Sequence, residues 1–290
     1  MSNREEAEAL PDVGLRMTES DFRKLSAFIH QVCGISLSDQ KRTMLESRLQ
    51  KRLRALGMAS FREYCAHVTS DAEDESERIR MIDLVTTNKT DFFREANHLH
   101  YLVDKALPPA VAAGWGTSRP LSVWSAGCST GEEPYTLAMV LSEFAESVPG
   151  FRFDILGTDI STRVLEAARR AVYDSDKIAP VPMPIRRKYL LRSRDRESGA
   201  VRIVPELRSL VRFRRLNFLE SDFGLREPMD VVFCRNVIIY FDKPTQETIL
   251  CRIARHVTPG GYVFMGHSET LFGLRVPLVQ VAPTVYRKQA

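Results

Sequence analysis

The chain has 290 residues, 44% hydrophobic and 27% charged, with a formal charge of +4, the balance of a soluble globular protein with one large or two modest domains. No apolar run is long enough to span a membrane, and the polar, acidic start is unlike a signal peptide. Five cysteines with no Cys-x-x-Cys pair argue against a disulfide framework or a zinc site and suit a reduced cytoplasm.

Residues 1–17 read as a disordered tail, and residues 18–85 as an all-helical domain. Thr18, Ser20 and Asp21 offer capping groups ahead of Phe22, Leu25, Phe28 and Ile29. Gly34 interrupts, Ser36 or Ser38 can start the next helix, and Gly57 ends it. In that second helix Met44, Leu45, Leu49, Leu53 and Leu56 recur at helical spacing. Around them crowd Lys41, Arg42, Arg48, Lys51, Arg52 and Arg54, with Glu46 the single acid. The pattern predicts an amphipathic helix with a basic face, on which Arg48 and Arg52, four apart, share a side. Residues 61–68 predict a short helix. Asp71, Glu73, Asp74, Glu75 and Glu77 read as a solvated acidic helix face. Residues 79–84 lead into 85–88, where the chain is expected to reach a ligand crevice, and 86–120 read as a linker helix.

From residue 121 the period changes. Strand-like runs occur at 121–126, 153–159, 210–216, 229–234, 261–266 and 279–286, with helix-like runs between several of them. This alternation predicts an α/β domain over 121–290 built on a doubly wound sheet, closed by a final pair of strands without a helical spacer. One stretch breaks the pattern. Pro180, Pro182 and Pro184 precede a basic helix predicted over 185–191, a turn at 192–199 and an alternating strand at 200–204. It reads as an inserted antiparallel β-subdomain at about 180–208.

The most informative segment is Trp124-Ser-Ala-Gly-Cys-Ser-Thr-Gly-Glu-Glu-Pro-Tyr135. An apolar strand feeds a small-residue loop and then an apolar helix, the arrangement that brings backbone close to a nucleotide-like ligand. A dinucleotide site would set its pyrophosphate at the helix N-terminus, but Glu132 and Glu133 stand there. They repel phosphate and suit a ligand with hydroxyls and positive charge, such as S-adenosylmethionine. Asp159, at the end of the second strand, lies where a carboxylate takes ribose hydroxyls, and Ser161 can cap the helix over 163–171. Residues 229–234 form a buried strand that runs into polar residues at its carboxyl end. Cys128 and Cys234 read as small buried residues.

Five segments in order carry a resemblance: Thr86-Thr-Asn-Lys-Thr-Asp-Phe-Phe-Arg-Glu95, Ser129-Thr-Gly-Glu-Glu-Pro-Tyr135, Thr158-Asp-Ile160, Phe233-Cys-Arg-Asn-Val-Ile-Ile-Tyr-Phe241 and Gly266-His-Ser-Glu269. The chain resembles the bacterial chemotaxis receptor methyltransferases, the CheR family, from about residue 18 to 287. The resemblance implies a Rossmann-like methyltransferase fold. It implies methyl transfer from S-adenosylmethionine to glutamates on the cytoplasmic helices of chemoreceptors, with S-adenosylhomocysteine as product, in the cytoplasm at membrane-associated receptor arrays. It implies that Asn88, Thr90 and Arg94 form a cofactor lip, with Arg94 pairing with the methionine carboxylate. Glu133 and Asp159 would take ribose or adenosine donors, Asn217 and Phe218 line the adenine, and Asn236 and Val237 flank the methionine end. Glu132 neighbours the site. Arg235 and Tyr240 would orient the incoming glutamate, while His267 braces its loop. Arg48, Lys51 and Arg52 would meet the acidic receptor helix. In some members the inserted β-subdomain docks a receptor C-terminal peptide; here its turn lacks the Gly-x-Gly that some of them carry.

A carboxylate acceptor is already anionic at neutral pH, since a glutamate has a pKa of about 4.3. Alignment and desolvation then supply most of the acceleration, and neither a catalytic triad nor a metal is expected. Two other readings compete: a nucleic-acid methyltransferase and a non-catalytic S-adenosylmethionine-binding regulator. Against the first, Arg235-Asn236-Val237-Ile238 stands where amino-methylating enzymes keep an Asp/Asn-Pro-Pro-Tyr/Phe signature.

Overall fold

The computed structural model describes residues 15–70, 75–193, 195 and 199–289. Most of the predicted N-terminal tail, Asp71, Glu73 and Asp74 of the acidic run, and half of the 192–199 turn lie outside the described residues. The chain divides into two compact units, Met1–Val32 with Ser36–Val85, and Cys33–Ile35 with Thr86–Ala290.

The smaller unit carries α1 (Glu19–Cys33), α2 (Arg42–Ala55), α3 (Phe61–Thr69) and α4 (Glu75–Val85). A reciprocal cap opens α1: the Thr18 hydroxyl accepts the Asp21 amide at 3.2 Å and donates to Asp21 Oδ2 at 2.6 Å. Ser60 caps α3 by accepting the Glu63 amide. Leu45, Leu49 and Leu53 of α2 are fully buried, as are Leu25, Ile29, Tyr64, Val68 and Met81; Leu56 is half-buried. Glu77 departs from the sequence reading. It is buried rather than solvated, accepting both Arg52 Nε (3.0 and 3.1 Å) and the Tyr64 hydroxyl (3.0 Å). One acid in a charged run thus turned inward because a cation and a hydroxyl were there to satisfy it.

The larger unit opens with α5 (Ala96–Tyr101) and α6 (Leu107–Ala112), joined through one π-helical turn at Leu102–Ala106. There follow β1 (Leu121–Ala126), α7 (Glu132–Ser147), β2 (Phe153–Asp159), α8 (Thr162–Arg170) and β3 (Val172–Asp174). Next come α9 (Met183–Tyr189), β4 (Leu190–Arg192), β5 (Ala200–Ile203), α10 (Pro205–Ser209), β6 (Val211–Arg215) and β7 (Met229–Cys234). The unit ends with α11 (Lys243–Arg255), β8 (Val257–Met265), β9 (Leu278–Ala282) and β10 (Val285–Lys288).

The main sheet runs β6-β2-β1-β7-β8-β10-β9. β6, β2, β1, β7 and β8 are parallel neighbours, and β10 is antiparallel to both β8 and β9. Period-two alternation sorts the strand residues onto two cores. Leu121, Val123, Ile155, Phe233 and Phe264 face one side; Trp124, Leu156, Val232, Val263 and Met265 face the other. Strand order reverses between β1 and β7, so the crevice of this doubly wound sheet lies at their carboxyl ends.

Three expectations change. The single run at 279–286 is two strands, β9 and β10, because Thr284 (φ +55°) turns the chain back, and β10 inserts between β8 and β9. The helix predicted to 191 stops at Tyr189, because residues 190–192 pair with β5, Leu190 opposite Ile203; long-range pairing outweighs helical propensity there. The small sheet, β3-β5-β4, also recruits β3, a strand of three residues that precedes the predicted insertion and is too short to show a period. Among the described residues no helix is long and apolar enough to cross a membrane.

Candidate cofactor and methyl-transfer site

The turn after β1 is built by backbone. The Gly127 and Cys128 amides both donate to the Thr158 carbonyl at 2.8 Å, tying the loop to β2. Gly127 has φ +88°, and a Cβ there would stand 2.4 Å from Val237 Cγ2. Only glycine lets this turn approach the end of β7. Gly131 (φ +98°) is the N-cap residue of α7, and a Cβ on it would meet Tyr173 Oη at 2.8 Å.

Asp159 lies between the two loops. Its Oδ2 accepts the Ser129 amide at 2.9 Å and its Oδ1 the Ser161 amide at 3.0 Å. These two backbone bonds orient the carboxylate between the loops. The Ser129 hydroxyl donates to the Asn88 carbonyl at 2.9 Å, which anchors the 86–95 segment to the β1 loop. Asn88 Nδ2 donates to Thr86. Thr90 is buried, and its carbonyl accepts Lys177 Nζ at 3.2 Å. Arg94 sends Nη1 to the Lys89 carbonyl at 3.1 Å and is part-exposed.

Glu132 and Glu133 both start α7, where the helix dipole favours negative charge. Glu132 accepts the Thr130 hydroxyl at 2.6 Å, and burial pushes its carboxyl above the usual range. Glu133 accepts the Ser125 hydroxyl at 2.6 Å and Arg235 Nε at 2.7 Å. Arg235 also donates through Nη1 to the Arg94 carbonyl at 2.6 Å, over the Phe233 ring. At 8% exposure this guanidinium is an internal strut joining β7, α7 and the 86–95 segment. Arg235, expected to orient an incoming glutamate, is bonded here to Glu133 and to the Arg94 carbonyl.

Asn236 adopts the left-handed region at φ +57°. Glu269 holds it there: one carboxylate accepts four amides, from Asn236 and Gly266 at 2.7 Å and from Val237 and Ile238 at 2.9 Å. Burial raises the Glu269 carboxyl and the four amides oppose that shift. Sequence reasoning assigned this residue no role, although it stands in the Gly266–Glu269 motif. Asn217 uses Oδ1 to accept the Leu219 amide at 3.1 Å, and Phe218 packs near Trp124 and Phe223. Tyr240 sits half-buried in a single 3-10 turn. Cys128 and Cys234 are buried thiols that burial pushes well above their ordinary pKa.

The structure also gathers Glu95 and His98, three residues apart, with His267, which lies 172 residues from Glu95. The His267 amide donates to Glu95 Oε1 at 3.3 Å, so His267 braces its loop through the backbone. Burial, and then the Arg235 charge, push the His98 imidazole down to about 4. Of the three basic residues expected to meet a substrate helix, all in the smaller unit, Lys51 is exposed. Arg48 donates to the Val85 carbonyl at 2.7 Å and Arg52 is paired with Glu77.

A doubly wound sheet with an acid at the end of β2, and carboxylates where a phosphate would need cations, is the arrangement of an S-adenosylmethionine-dependent methyltransferase. Residues 88–286 match the S-adenosylmethionine-binding domain of the CheR methyltransferases and residues 20–86 their all-alpha domain; the chain belongs to this family. It is 40% identical over 273 residues to chemotaxis protein methyltransferase 2 of Pseudomonas aeruginosa, covering 93% of each chain. It is 40% identical to the chemotaxis protein methyltransferase of Klebsiella aerogenes (98% and 95% covered) and 38% identical to that of Escherichia coli (94% and 92%). S-adenosylmethionine is therefore the methyl donor, and the protein acts in chemotaxis.

Proposed function

We propose that the protein esterifies glutamate side chains on the cytoplasmic helices of chemoreceptors, supporting sensory adaptation from the cytoplasm at membrane-associated receptor arrays. The observation that carries this reading is α2. It buries Leu45, Leu49 and Leu53 and leaves Lys41, Arg42, Lys51 and Arg54 exposed, a cationic face suited to an acidic helical substrate.

The bound donor supplies an electrophilic sulfonium methyl group. Asp159 accepts ribose hydroxyls, with its orientation set by Ser129 and Ser161. Arg94 offers a planar fork to the methionine carboxylate, and Asn88 and Thr90 complete that lip. Asn217 and Phe218 border the adenine, and Asn236 and Val237 the methionine end. Arg235 acts through Glu133 and the Arg94 backbone, and Tyr240 orients the acceptor. The acceptor glutamate needs no base to ionise it, so the residues serve alignment and exclusion of water.

The test is to incubate the protein with methyl-labelled donor and either receptor-bearing membranes or DNA. Label should enter the receptor and leave as methanol on mild alkali, as a methyl ester does. Label in DNA, or no transfer to receptors, would overturn the reading.

A further inference from the structure

We propose that Glu95, His98 and His267 form a binding site for a divalent transition-metal ion of the zinc type. Glu95 Oε2 and His98 Nδ1 are buried, lie 3.4 Å apart and have no hydrogen-bond partner among the described residues; their side chains are 10% and 3% exposed. The other imidazole nitrogen, Nε2, is 2.8 Å from the Thr284 hydroxyl, which itself donates to the Pro283 carbonyl at 2.8 Å. With the hydroxyl proton used there, Nε2 carries the ring proton and Nδ1 presents a lone pair to the Glu95 carboxylate. Two acceptors facing each other in a buried place attract a cation.

The third group completes the set. His267 Nε2 is 4.0 Å from Glu95 Oε2, and all three ligand atoms lie within 4.8 Å of one another. Ligand atoms around a tetrahedral zinc at about 2.1 Å are themselves about 3.4 Å apart. The Glu95–His98 pair already has that edge. The His267 side chain, 54% exposed, needs only a small swing, and its amide bond to Glu95 keeps its loop in place. Glu95 has φ +54°, an uncommon conformation for a non-glycine residue. A cavity of about 360 Å³, lined in part by His98, Tyr101, His267 and Thr284, leaves room for a water as fourth ligand. Two imidazoles and one carboxylate select zinc-like ions over magnesium. Arg235 Nη1, 3.6 Å from Glu95 Oε2, opposes a second cation. Its bonds to Glu133 and the Arg94 carbonyl hold it in that place, so an ion binds against that charge, exchangeably rather than as a permanent structural metal.

Titration of the metal-free full chain with zinc chloride by calorimetry tests this, alongside His267→Ala and His98→Gln, with circular dichroism to check the fold. One ion should bind per chain, and His267→Ala, a surface change, should weaken it by about tenfold or more. The cobalt-substituted protein should show no thiolate-to-metal charge transfer. No zinc binding by the native chain, equal binding by the folded His267→Ala chain, or a thiolate band would each overturn the site.

Discussion

Arg235 Nε lies 2.7 Å from Glu133 Oε2, a buried ion pair linking the end of β7 to the first turn of α7. Arg235→Ala leaves Glu133 buried without its cation, which should cost about 3–5 kcal/mol of stability. Arg235→Lys should recover only part of that, because a single ammonium cannot span both Glu133 and the Arg94 carbonyl. Urea denaturation of the three chains measures this; equal stabilities would show that the pair contributes nothing.

Asp159→Ala should weaken binding of S-adenosylhomocysteine by roughly 1–3 kcal/mol, since ribose hydroxyls lose their acceptor. The substitution also frees the Ser129 and Ser161 amides, so Asp159→Asn, which keeps one acceptor oxygen, should fall between. Unchanged affinity by calorimetry in a folded variant would remove Asp159 from the cofactor site.

Arg94→Ala should lose methyl transfer mainly through weaker cofactor binding. Its fork is part-exposed, bonded to the Lys89 carbonyl and 3.9 Å from Glu95 Oε1. Normal cofactor affinity with lost transfer would move Arg94 to the acceptor glutamate.

On α2 the structure separates two kinds of arginine and lysine. Lys51→Glu should reduce receptor methylation, more so at low salt, with cofactor affinity intact. Arg52→Glu should instead destabilise the smaller unit, by about 3 kcal/mol or more, because it sets an acid against buried Glu77. Thermal melts and methylation assays on both variants check the contrast. Normal methylation by the Lys51 variant at both low and moderate salt would place the receptor contact elsewhere.

At pH 8 Cys128 and Cys234 should resist alkylation in the folded protein. Burial raises both thiols well above their usual pKa, so the reactive thiolate, present only above that pKa, is scarce at pH 8. Peptide mass spectrometry after iodoacetamide treatment, with and without denaturant, provides the measurement. Rapid native labelling of either would show that these strand ends open readily.

The main sheet was largely legible because its signals are local. β1, β2 and β7 each present an apolar run of strand length bounded by turn residues, and their limits match the sequence reading. The switch from α1–α4 to alternating strands was equally plain. β3 and β4 were not, because three residues show no period and their pairing with β5 is decided at a distance. The loop after β1 announced a turn against a ligand through its glycines and its two acids.

What the sequence determined alone is which positions are apolar, where backbone must turn, and which side chains carry charge. Those suffice for the α/β class, the crevice loop and the family. Which charges face solvent was decided only by tertiary structure. The partners of Arg52, Glu77, Glu133 and Arg235 are not apparent in the chain, because each lies at least 25 residues away. The same holds for Glu269, whose four amide bonds come from two separate loops, and for Glu95 and His267, separated by 172 residues. A buried charge is tolerated only where opposite charge or hydrogen-bond donors converge on it, and that convergence exists only once the chain has folded.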